Sequence, residues 1–293
     1  MTKPKAKTRA SLLGHLEARL RALGVPSPAA EARVFARAAL EETPEAFFAR
    51  LAEPVPEAAR GRIEAWLARR ERGEPPALIL GEAEFMGLPL KVRPGVFLPR
   101  PETERLVELA LNAIEGKPSP RVLDVGTGSG AIALAIKKAR PDARVFASDM
   151  SEKALELARE NARALGLSVE FLEAPLSAGL SGLDLVVANP PYLPERYRET
   201  APRELSFEPE EALYAGPDGL AVARPLLLEA RRALVPGGKV VLELDPTNAA
   251  LLGRFALELG FREVCTLPDL ARRPRYLLAR APAAELAGEL GLA

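Results

Sequence analysis

From Pro101 onward the sequence alternates between short apolar segments of strand type and longer amphipathic segments of helix type. Such alternation predicts a parallel sheet covered by helices on both faces, because parallel strands need a crossover connection. The predicted strands are RVLDVG (121–126), ARVFASD (143–149), VEFLEA (169–174), LDLVVAN (183–189) and KVVLEL (239–244). Near the end, FREVCTLPDL and RPRYLLAR leave no room for a helix between them, so these two strands must pair antiparallel. The fold class is therefore α/β, with an antiparallel unit that an ordinary dinucleotide-binding domain lacks.

The region before this alternation has a different pattern. In SLLGHLEARLRALGV, Leu12, Leu16 and Leu20 fall on one face of a helix, and two further segments up to Arg72 repeat that spacing. Residues 75–98 contain β-type residues broken by Gly and Pro, which is typical of a hairpin. We therefore predict a small helical domain at 1–74, a β-hairpin connector at 75–98 and the α/β domain at 99–293.

Composition disfavours several classes of function. The 293 residues include 40 basic and 40 acidic side chains, so no overall charge attracts nucleic acid. Cys265 and His15 are the single cysteine and the single histidine, which leaves almost no ligands for zinc and excludes an internal disulfide. No apolar run approaches the roughly 20 residues of a membrane span, and the basic start MTKPKAKTRA lacks the apolar segment of a signal peptide. We expect a cytoplasmic protein with no membrane partner, and a solvated basic tail rather than an RNA contact.

A glycine-rich loop follows the first predicted strand. Gly126, Gly128 and Gly130 lie between that strand and the next helix. Glycines let a ligand approach the main chain closely, and the helix points its free N–H groups at the loop. Asp149 ends the next strand, 19 residues after Gly130, where a carboxylate accepts hydrogen bonds from ribose hydroxyls. The pattern predicts a nucleotide-type ligand at the carboxyl end of the sheet.

Two classes of ligand fit this loop. Gly126, Gly128 and Ala131 also satisfy the fingerprint for NAD, which permits alanine at its third position. Two features argue against NAD. Asp124 places a negative charge beside the site where a pyrophosphate would lie, and the dinucleotide-binding half of a dehydrogenase lacks the antiparallel strands predicted near the end of this chain. A carboxylate at that position suits a cationic or zwitterionic ligand better.

The fourth predicted strand ends at Asn189, Pro190, Pro191 and Tyr192. Prolines cannot donate to a sheet ladder, so the strand must stop there, at the same edge of the sheet as the glycine loop. The side-chain oxygen of Asn189 and the backbone carbonyl of Pro190 are two acceptors held by rigid neighbours. Two fixed acceptors match the two hydrogens of a planar NH2 group, on which Tyr192 could stack.

These motifs resemble those of S-adenosylmethionine-dependent methyltransferases, which combine Asn-Pro-Pro-Tyr after the fourth strand with Asp-x-Gly-x-Gly-x-Gly after the first. Three further segments, FLPRPETE (97–104), FEPEEAL (207–213) and GPDGL (216–220), are similar to the HemK-type protein-(glutamine-N5) methyltransferases, which modify peptide chain release factors. The resemblance covers nearly the whole chain. PRPETE and FEP are its more specific parts, since enzymes that methylate amino groups of nucleic-acid bases share Asn-Pro-Pro-Tyr.

The resemblance implies a Rossmann-like, seven-stranded class I methyltransferase sheet with an antiparallel last strand, preceded by a helical substrate-recognition domain. It implies S-adenosyl-L-methionine as methyl donor, S-adenosyl-L-homocysteine as product and no metal. The implied partner is a release factor, methylated on the glutamine of its Gly-Gly-Gln loop. We expect a monomer that does not bind nucleic acid directly.

Three sets of residues follow from the same resemblance. The catalytic set is Asn189, Pro190, Pro191 and Tyr192. The donor-binding set is Asp124, Gly126, Thr127, Gly128, Ser129, Gly130, Asp149, Met150, Glu173, Ala174 and Asn189. The substrate-binding set is Phe97, Arg100, Asn189, Pro190, Tyr192 and Glu208.

Several of these assignments have alternatives. The acidic residue that the family places near adenine, at the end of the third strand, corresponds to Glu173 or, with a gap, is replaced by Pro175; we choose Glu173 with the Ala174 backbone. Phe97 is a core residue and Arg100 an ion-pair partner on the alternative interpretation. Glu208 contacts the substrate chain or is a solvated loop charge.

Two other functions compete with protein glutamine methylation. The first is methylation of exocyclic amino groups in DNA or RNA, which the balanced charge and sparse aromatic residues disfavour, since such enzymes need phosphate-binding patches and stacking platforms. The second is a nucleotide-binding interaction module without turnover, which leaves Asn189 unexplained.

Overall fold

The computed structural model describes residues 8–283 and forms two compact units, one up to Leu80 and one from Gly81. Residues 1–7, which include most of the basic start, lie outside the described part. Arg9, the last basic residue of that segment, is buried against Glu42 and Glu53 at 3.0 Å each, so it forms part of the helical unit rather than a solvated tail. Within residues 8–283, no helix has both the length and the apolar character needed to cross a bilayer.

The first unit is helical, as predicted. Its helices are α1 (Arg9–Ala22), α2 (Pro28–Leu40), α3 (Pro44–Ala49), α4 (Glu57–Glu71) and α5 (Pro76–Leu80). Local sequence fixes their starts, because the Thr8 and Thr43 side chains cap α1 and α3 and prolines begin α2 and α3. Apolar faces then meet in one core around Phe35, Phe47 and Ile63.

The second unit begins with a hairpin of β1 (Glu82–Phe85) and β2 (Leu88–Lys91), which pair antiparallel. The predicted hairpin segment, 75–98, thus starts with helix α5 and ends with an irregular stretch before α6 (Pro101–Ala113). From there the elements are β3 (Arg121–Val125), α7 (Ala131–Ala139), β4 (Arg144–Asp149), α8 (Glu152–Leu165), β5 (Glu170–Glu173), β6 (Leu183–Ala188), α9 (Ala223–Ala233), β7 (Leu234–Glu243), α10 (Ala249–Glu258), β8 (Arg262–Pro268) and β9 (Pro274–Arg280).

The large sheet has seven strands in the order β5-β4-β3-β6-β7-β9-β8. Strands β3 to β7 pair parallel, whereas β9 pairs antiparallel with both β7 and β8. The predicted seven-stranded sheet with an antiparallel last strand is therefore confirmed. Buried apolar side chains cover both faces of the sheet, as expected for strands that lie between helical layers. Cys265 in β8 is exposed on this edge strand.

Candidate active site

The carboxyl ends of β3, β4 and β6 enclose a cavity of about 520 Å³, a volume typical of small-molecule sites. Open parallel sheets bind ligands at this edge, because the loops that follow the strands converge there. Many of the residues predicted to bind a ligand share the cavity wall: Phe97, Gly126, Thr127, Gly128, Ser129, Asp149, Met150, Ala174, Asn189 and Pro191. Segments far apart in the sequence thus meet around one space.

The glycine loop and Asp149 are held together by main-chain hydrogen bonds. Gly128 N donates to Asp149 Oδ2 at 2.9 Å, and Ser151 N, at the start of α8, donates to Oδ1 at 2.9 Å. Gly126 N also donates to the Ser148 carbonyl at 2.8 Å. A carboxylate can accept about four hydrogen bonds, so Asp149 keeps acceptor capacity toward the cavity.

The structure corrects the predicted role of Asp124. This side chain is 0% exposed and lies outside the cavity wall, where Oδ2 accepts hydrogen bonds from Thr127 Oγ1 at 2.6 Å and from Ala133 N at 3.2 Å. Burial raises the pKa of Asp124 to about 7. Asp124 therefore supports the loop from within the fold, because its bonds join β3 to the start of α7.

Gly130 is also absent from the cavity wall. It begins α7 with φ +86°, and a Cβ at this position would lie 3.1 Å from Leu134 Cδ1 and 3.2 Å from Ala158 Cβ. The third glycine of the loop thus permits close packing between α7 and α8 rather than ligand contact.

The choice of Glu173 is wrong for the cavity, because its side chain is exposed at the end of β5 and does not line the wall. The chain turns directly after this residue, where Ala174 N donates to the Asp149 carbonyl at 3.1 Å. Ala174, Pro175 and Leu176 form the wall instead. The alternative with Pro175 therefore describes the geometry, and this side of the cavity is apolar.

Asn161, a buried residue that sequence analysis missed, holds the glycine loop in place from the neighbouring helix α8. Asn161 of α8 donates from Nδ2 to the Ser129 carbonyl at 2.9 Å, and its Oδ1 accepts from Lys91 N at 2.8 Å. The hairpin strand β2, helix α8 and the loop are thereby joined by one side chain that is 1% exposed. An asparagine on the otherwise apolar face of an amphipathic helix is the sequence signal that indicates such a role.

Asn189 directly follows β6 and lines the cavity with a fixed orientation. Its Nδ2 donates to Thr103 Oγ1 at 3.1 Å, and Thr103 Oγ1 in turn donates to Glu243 Oε2 at 2.9 Å. The side-chain oxygen of Asn189 is the end that this hydrogen-bond chain leaves as an acceptor. Neither Thr103 nor Glu243 was predicted as a site residue, because they lie 140 residues apart in the sequence.

The remainder of the Asn-Pro-Pro-Tyr segment differs in burial from residue to residue. Pro191 lines the cavity, whereas Pro190 is buried and Tyr192 lies outside the wall. The Tyr192 hydroxyl donates to Glu243 Oε1 at 3.3 Å, and burial raises the pKa of this phenol above its usual range. The Tyr192 ring is half-buried beside the cavity wall, and its role as a stacking surface stays a prediction.

Arg100, which directly precedes α6, forms an ion pair with Glu208. The Glu208 side chain is 1% exposed. Leu98 N donates to Glu208 Oε2 at 2.9 Å, while the Arg100 guanidinium lies 5.2 Å from the centre of the Phe97 ring. The interpretation of Glu208 as a solvated charge is wrong, since the carboxylate is internal, and its assignment as a substrate contact stays a prediction. Burial raises its pKa above the ordinary value. Arg100 matches the ion-pair interpretation, and Phe97 is partly buried on the cavity wall.

The GPDGL segment contacts the Asn-Pro-Pro-Tyr segment through its main chain. Asn248 Nδ2 donates to the Tyr192 carbonyl at 3.1 Å. A Cβ on Gly219, which has φ +75°, would lie 2.2 Å from that same carbonyl oxygen and 2.9 Å from Asn248 Nδ2. Only glycine fits here, because any side chain would push the Tyr192 main chain away.

Gly219→Ala is therefore expected to move the Asn-Pro-Pro-Tyr segment. We expect kcat to fall about 10-fold, since misplacement of catalytic groups by 1 Å can cost about 10²-fold, and overpacking should lower the free energy of unfolding by about 1–3 kcal/mol. Gly116→Ala is the matched control, because Gly116 has φ +73° and a Cβ added there would meet no atom within 4 Å. Enzyme kinetics and urea unfolding of both variants test this; equal behaviour of the pair would contradict it.

Residues 8–283 contain no group of three or more His, Cys, Asp or Glu side chains arranged to hold a metal ion. The Asp149 carboxylate and the Asn189 side-chain oxygen are two acceptors on the cavity wall, which also carries the Glu211 carboxylate and the hydroxyl residues Thr103, Thr127, Ser129 and Ser151. The wall between them carries main-chain glycines and apolar side chains. This arrangement can hold a ligand that combines ribose-like hydroxyls with apolar surface, next to an acceptor for an NH2 group.

Two family models match separate parts of the chain. The family model for the PrmC N-terminal domain matches residues 11–81, and the model for the Methyltransferase small domain matches residues 87–208. Two solved structures share the fold. The hMettl16 catalytic domain has a TM-score of 0.57 at 15% identity, covering 80% of this chain and 84% of that chain. RsmC from T. Thermophilus has a TM-score of 0.52 at 23% identity, covering 68% and 49%.

Three curated relatives are each named release factor glutamine methyltransferase. The Deinococcus radiodurans protein is 47% identical over 92% of this chain and 97% of its own length. The Burkholderia pseudomallei protein is 43% identical over 96% and 99%, and the Moorella thermoacetica protein is 42% identical over 91% and 96%. With such identities over nearly its full length, the chain belongs to the release factor glutamine methyltransferase family.

Proposed function

We propose that this protein transfers a methyl group from S-adenosyl-L-methionine to the side-chain amide nitrogen of the glutamine in the Gly-Gly-Gln loop of peptide chain release factors. The names of the relatives support the reaction and the substrate class. The single observation that carries the chemistry is the orientation of Asn189, whose nitrogen bonds Thr103 and whose oxygen remains an acceptor at the cavity. S-adenosyl-L-homocysteine is then the product.

The cavity residues suit S-adenosyl-L-methionine, which supplies an electrophilic methyl group on a sulfonium when it is bound. Asp149 is placed to accept ribose hydroxyls, since each of its oxygens uses only one backbone N–H. The apolar wall of Ala174, Pro175 and Leu176 would pack against the adenine ring. Open space beside the main chain at Gly126 and Gly128, where a Cβ would meet no atom within 4 Å, gives the donor room to approach the loop.

The difficulty of the reaction lies in the nucleophile, because the lone pair of an amide nitrogen is delocalised into its carbonyl. We assign Asn189 Oδ1 and the Pro190 carbonyl to the two N–H groups of the glutamine. With both hydrogens held, the nitrogen presents one face to the electrophilic carbon. Such positioning can lower a barrier by about 7–11 kcal/mol, while each hydrogen bond contributes about 1 kcal/mol net.

The same two acceptors favour the transition state over the ground state. As the nitrogen is alkylated it gains positive character, so its N–H groups become stronger donors to Asn189 Oδ1 and the Pro190 carbonyl. The cationic nitrogen is strongly acidic and loses its proton afterwards without a dedicated base. Apolar cavity walls strengthen these interactions by keeping water away.

Labelled methyl donor distinguishes this proposal from methylation of nucleic-acid bases, which also uses an Asn-Pro-Pro-Tyr segment. The protein is incubated with donor and with either purified release factor or nucleic acid. We expect label on the release factor, and a mass-spectrometric map that places it on the Gly-Gly-Gln glutamine. Label on nucleic acid alone would overturn the proposal. The zero formal net charge supports the protein substrate.

We assign the first unit, up to Leu80, to recognition of the release factor in the cytoplasm, where such a partner resides. Removal of this unit is expected to raise KM for intact release factor about 10-fold, which corresponds to about 1.4 kcal/mol of binding free energy. A short peptide that carries only the Gly-Gly-Gln loop is the control substrate, and its KM should not change. An unchanged KM for the intact factor would count against this role.

A further inference from the structure

The carboxamide of Asn189 has two ends of opposite chemistry and nearly the same shape. The oxygen accepts hydrogen bonds and the NH2 group donates them, so a half-turn about the last side-chain bond exchanges an acceptor for a donor. Only the acceptor end can bind the NH2 group of a glutamine substrate. Something in the fold must therefore set which end faces the cavity.

The hydrogen-bond chain from Glu243 sets this direction. Glu243 ends β7 with 1% exposure, and its ionised carboxylate can only accept hydrogen bonds. Thr103 Oγ1, at 2.9 Å from Glu243 Oε2, gives its single proton to that carboxylate. The Thr103 oxygen can then only accept at 3.1 Å from Asn189, which requires Asn189 to point its Nδ2 at Thr103.

Glu243 is itself fixed by other groups. Its Oε1 accepts from the Tyr192 hydroxyl at 3.3 Å, and the Arg275 guanidinium lies 3.9 Å from the same oxygen. Glu243 therefore bonds the hydroxyl of Tyr192 and, through Thr103, the carboxamide of Asn189, so both ends of the Asn-Pro-Pro-Tyr segment are tied to one buried carboxylate. Charged acceptors make stronger hydrogen bonds than neutral ones, so the Thr103 hydroxyl gives its proton to Glu243 and accepts from Asn189.

We infer that Thr103, oriented by Glu243, is a positioning residue that holds the oxygen of Asn189 toward the substrate amide. This inference rests on the proposed function, since it concerns how the glutamine NH2 group is received. Without the Thr103 hydroxyl, the Asn189 carboxamide is free to turn, and its NH2 end then repels the NH2 group of the substrate. Thr103 lines the cavity beside Asn189, but its hydroxyl is used by Glu243 and Asn189, so we assign the effect of Thr103 and Glu243 on the substrate amide to Asn189.

Thr103→Val and Thr103→Ser form the test, because they separate the hydroxyl group from the shape of the side chain. Valine has nearly the shape of threonine at this buried position, which is 4% exposed, but lacks the hydroxyl; serine keeps the hydroxyl and lacks the methyl group. We expect kcat on release factor to fall about 10- to 30-fold in the valine variant and to change less than about 3-fold in the serine variant. The dissociation constant for S-adenosyl-L-methionine should change less than about 3-fold in both, because the glycine loop and Asp149 stay intact.

A role in packing alone predicts the reverse order, with valine tolerated and serine impaired, and that result would overturn the inference. Equal kcat values in the two variants would overturn it as well.

Should the valine variant not fold, Thr103→Ser and Thr103→Ala replace the pair, since both are smaller and differ only in the hydroxyl. A more active serine variant supports the inference and equal activity contradicts it. Wild-type protein is assayed in parallel. Its failure to methylate any release factor would overturn the proposed function and this inference together, whereas an active wild type with equal variants overturns only the role of Thr103.

Discussion

Asn189→Ala is expected to lower kcat for methylation of release factor by about 10²–10⁴-fold. The loss should be large because we assign to Asn189 one of the two acceptors that orient the amide nitrogen, and orientation is the main device by which such a site can activate so weak a nucleophile. The dissociation constant for S-adenosyl-L-methionine should rise less than about 5-fold, since the loop and Asp149 remain in place. Single-turnover kinetics and donor titration measure the two quantities separately.

Asn112→Ala is the matched control for this variant. Asn112 lies exposed on α6, so the same chemical deletion there leaves the site unaltered and should leave kcat within error of the wild type. Circular dichroism and thermal unfolding verify that both variants fold. Full activity in the Asn189 variant would refute the role that we assign to its carboxamide.

Asp149→Ala is expected to weaken the binding of S-adenosyl-L-methionine about 10²-fold. Two effects combine: the ribose loses a charged acceptor, and Gly128 N and Ser151 N lose the oxygens that hold them at 2.9 Å. Hydrogen bonds to charged groups contribute about 1.5–3 kcal/mol each, so the loss of one such bond to the ligand already accounts for most of the effect. Isothermal titration calorimetry gives the dissociation constant directly.

The controls for Asp149 separate its two functions. Asp149→Asn keeps an oxygen and should weaken donor binding by less than the alanine variant does. Glu156→Ala removes a carboxylate from the exposed face of α8 and should leave the affinity unchanged. An alanine variant at position 149 that binds the donor as tightly as the wild type would contradict the ribose assignment.

The fold could be predicted from the sequence because local patterns determine it. Alternation of strand-type and helix-type segments fixed the parallel sheet, and the missing helix before RPRYLLAR fixed the antiparallel end. The same reasoning placed Gly126, Asp149 and Asn189 at one edge, since the carboxyl ends of parallel strands meet there, and the structure brings all three to one cavity. For these three residues, their position at the carboxyl end of a strand was sufficient to predict that they lie near the cavity.

The errors concern side chains whose direction the motif does not specify. Asp124 and Gly130 belong to the glycine motif, yet Asp124 points into the fold and Gly130 faces Ala158 across a helix contact. Spacing alone cannot tell which side of a loop faces a ligand. The assignment of Glu173 to the cavity has a related problem. The chain turns immediately after β5, so that residues 174–176 line the cavity instead.

Which side chains form specific pairs across distant segments could not be predicted. Arg100 and Glu208, which form an ion pair, are 108 positions apart in the sequence. Thr103 and Glu243, which share a hydrogen bond, are 140 positions apart. Within the sequence, each of these side chains resembles an ordinary surface charge or a helix-start residue. Their function becomes visible only when the fold brings Thr103 to the cavity wall and buries Glu208 and Glu243 behind it.

The central claim is that a glutamine NH2 group is held between Asn189 Oδ1 and the Pro190 carbonyl. A crystal structure of the protein with S-adenosyl-L-homocysteine and a Gly-Gly-Gln peptide measures this most directly. We expect the glutamine nitrogen to lie about 2.7–3.2 Å from both oxygens, with its remaining face toward the sulfur. A glutamine side chain bound away from these two oxygens, or with its nitrogen turned from the sulfur, would contradict the account.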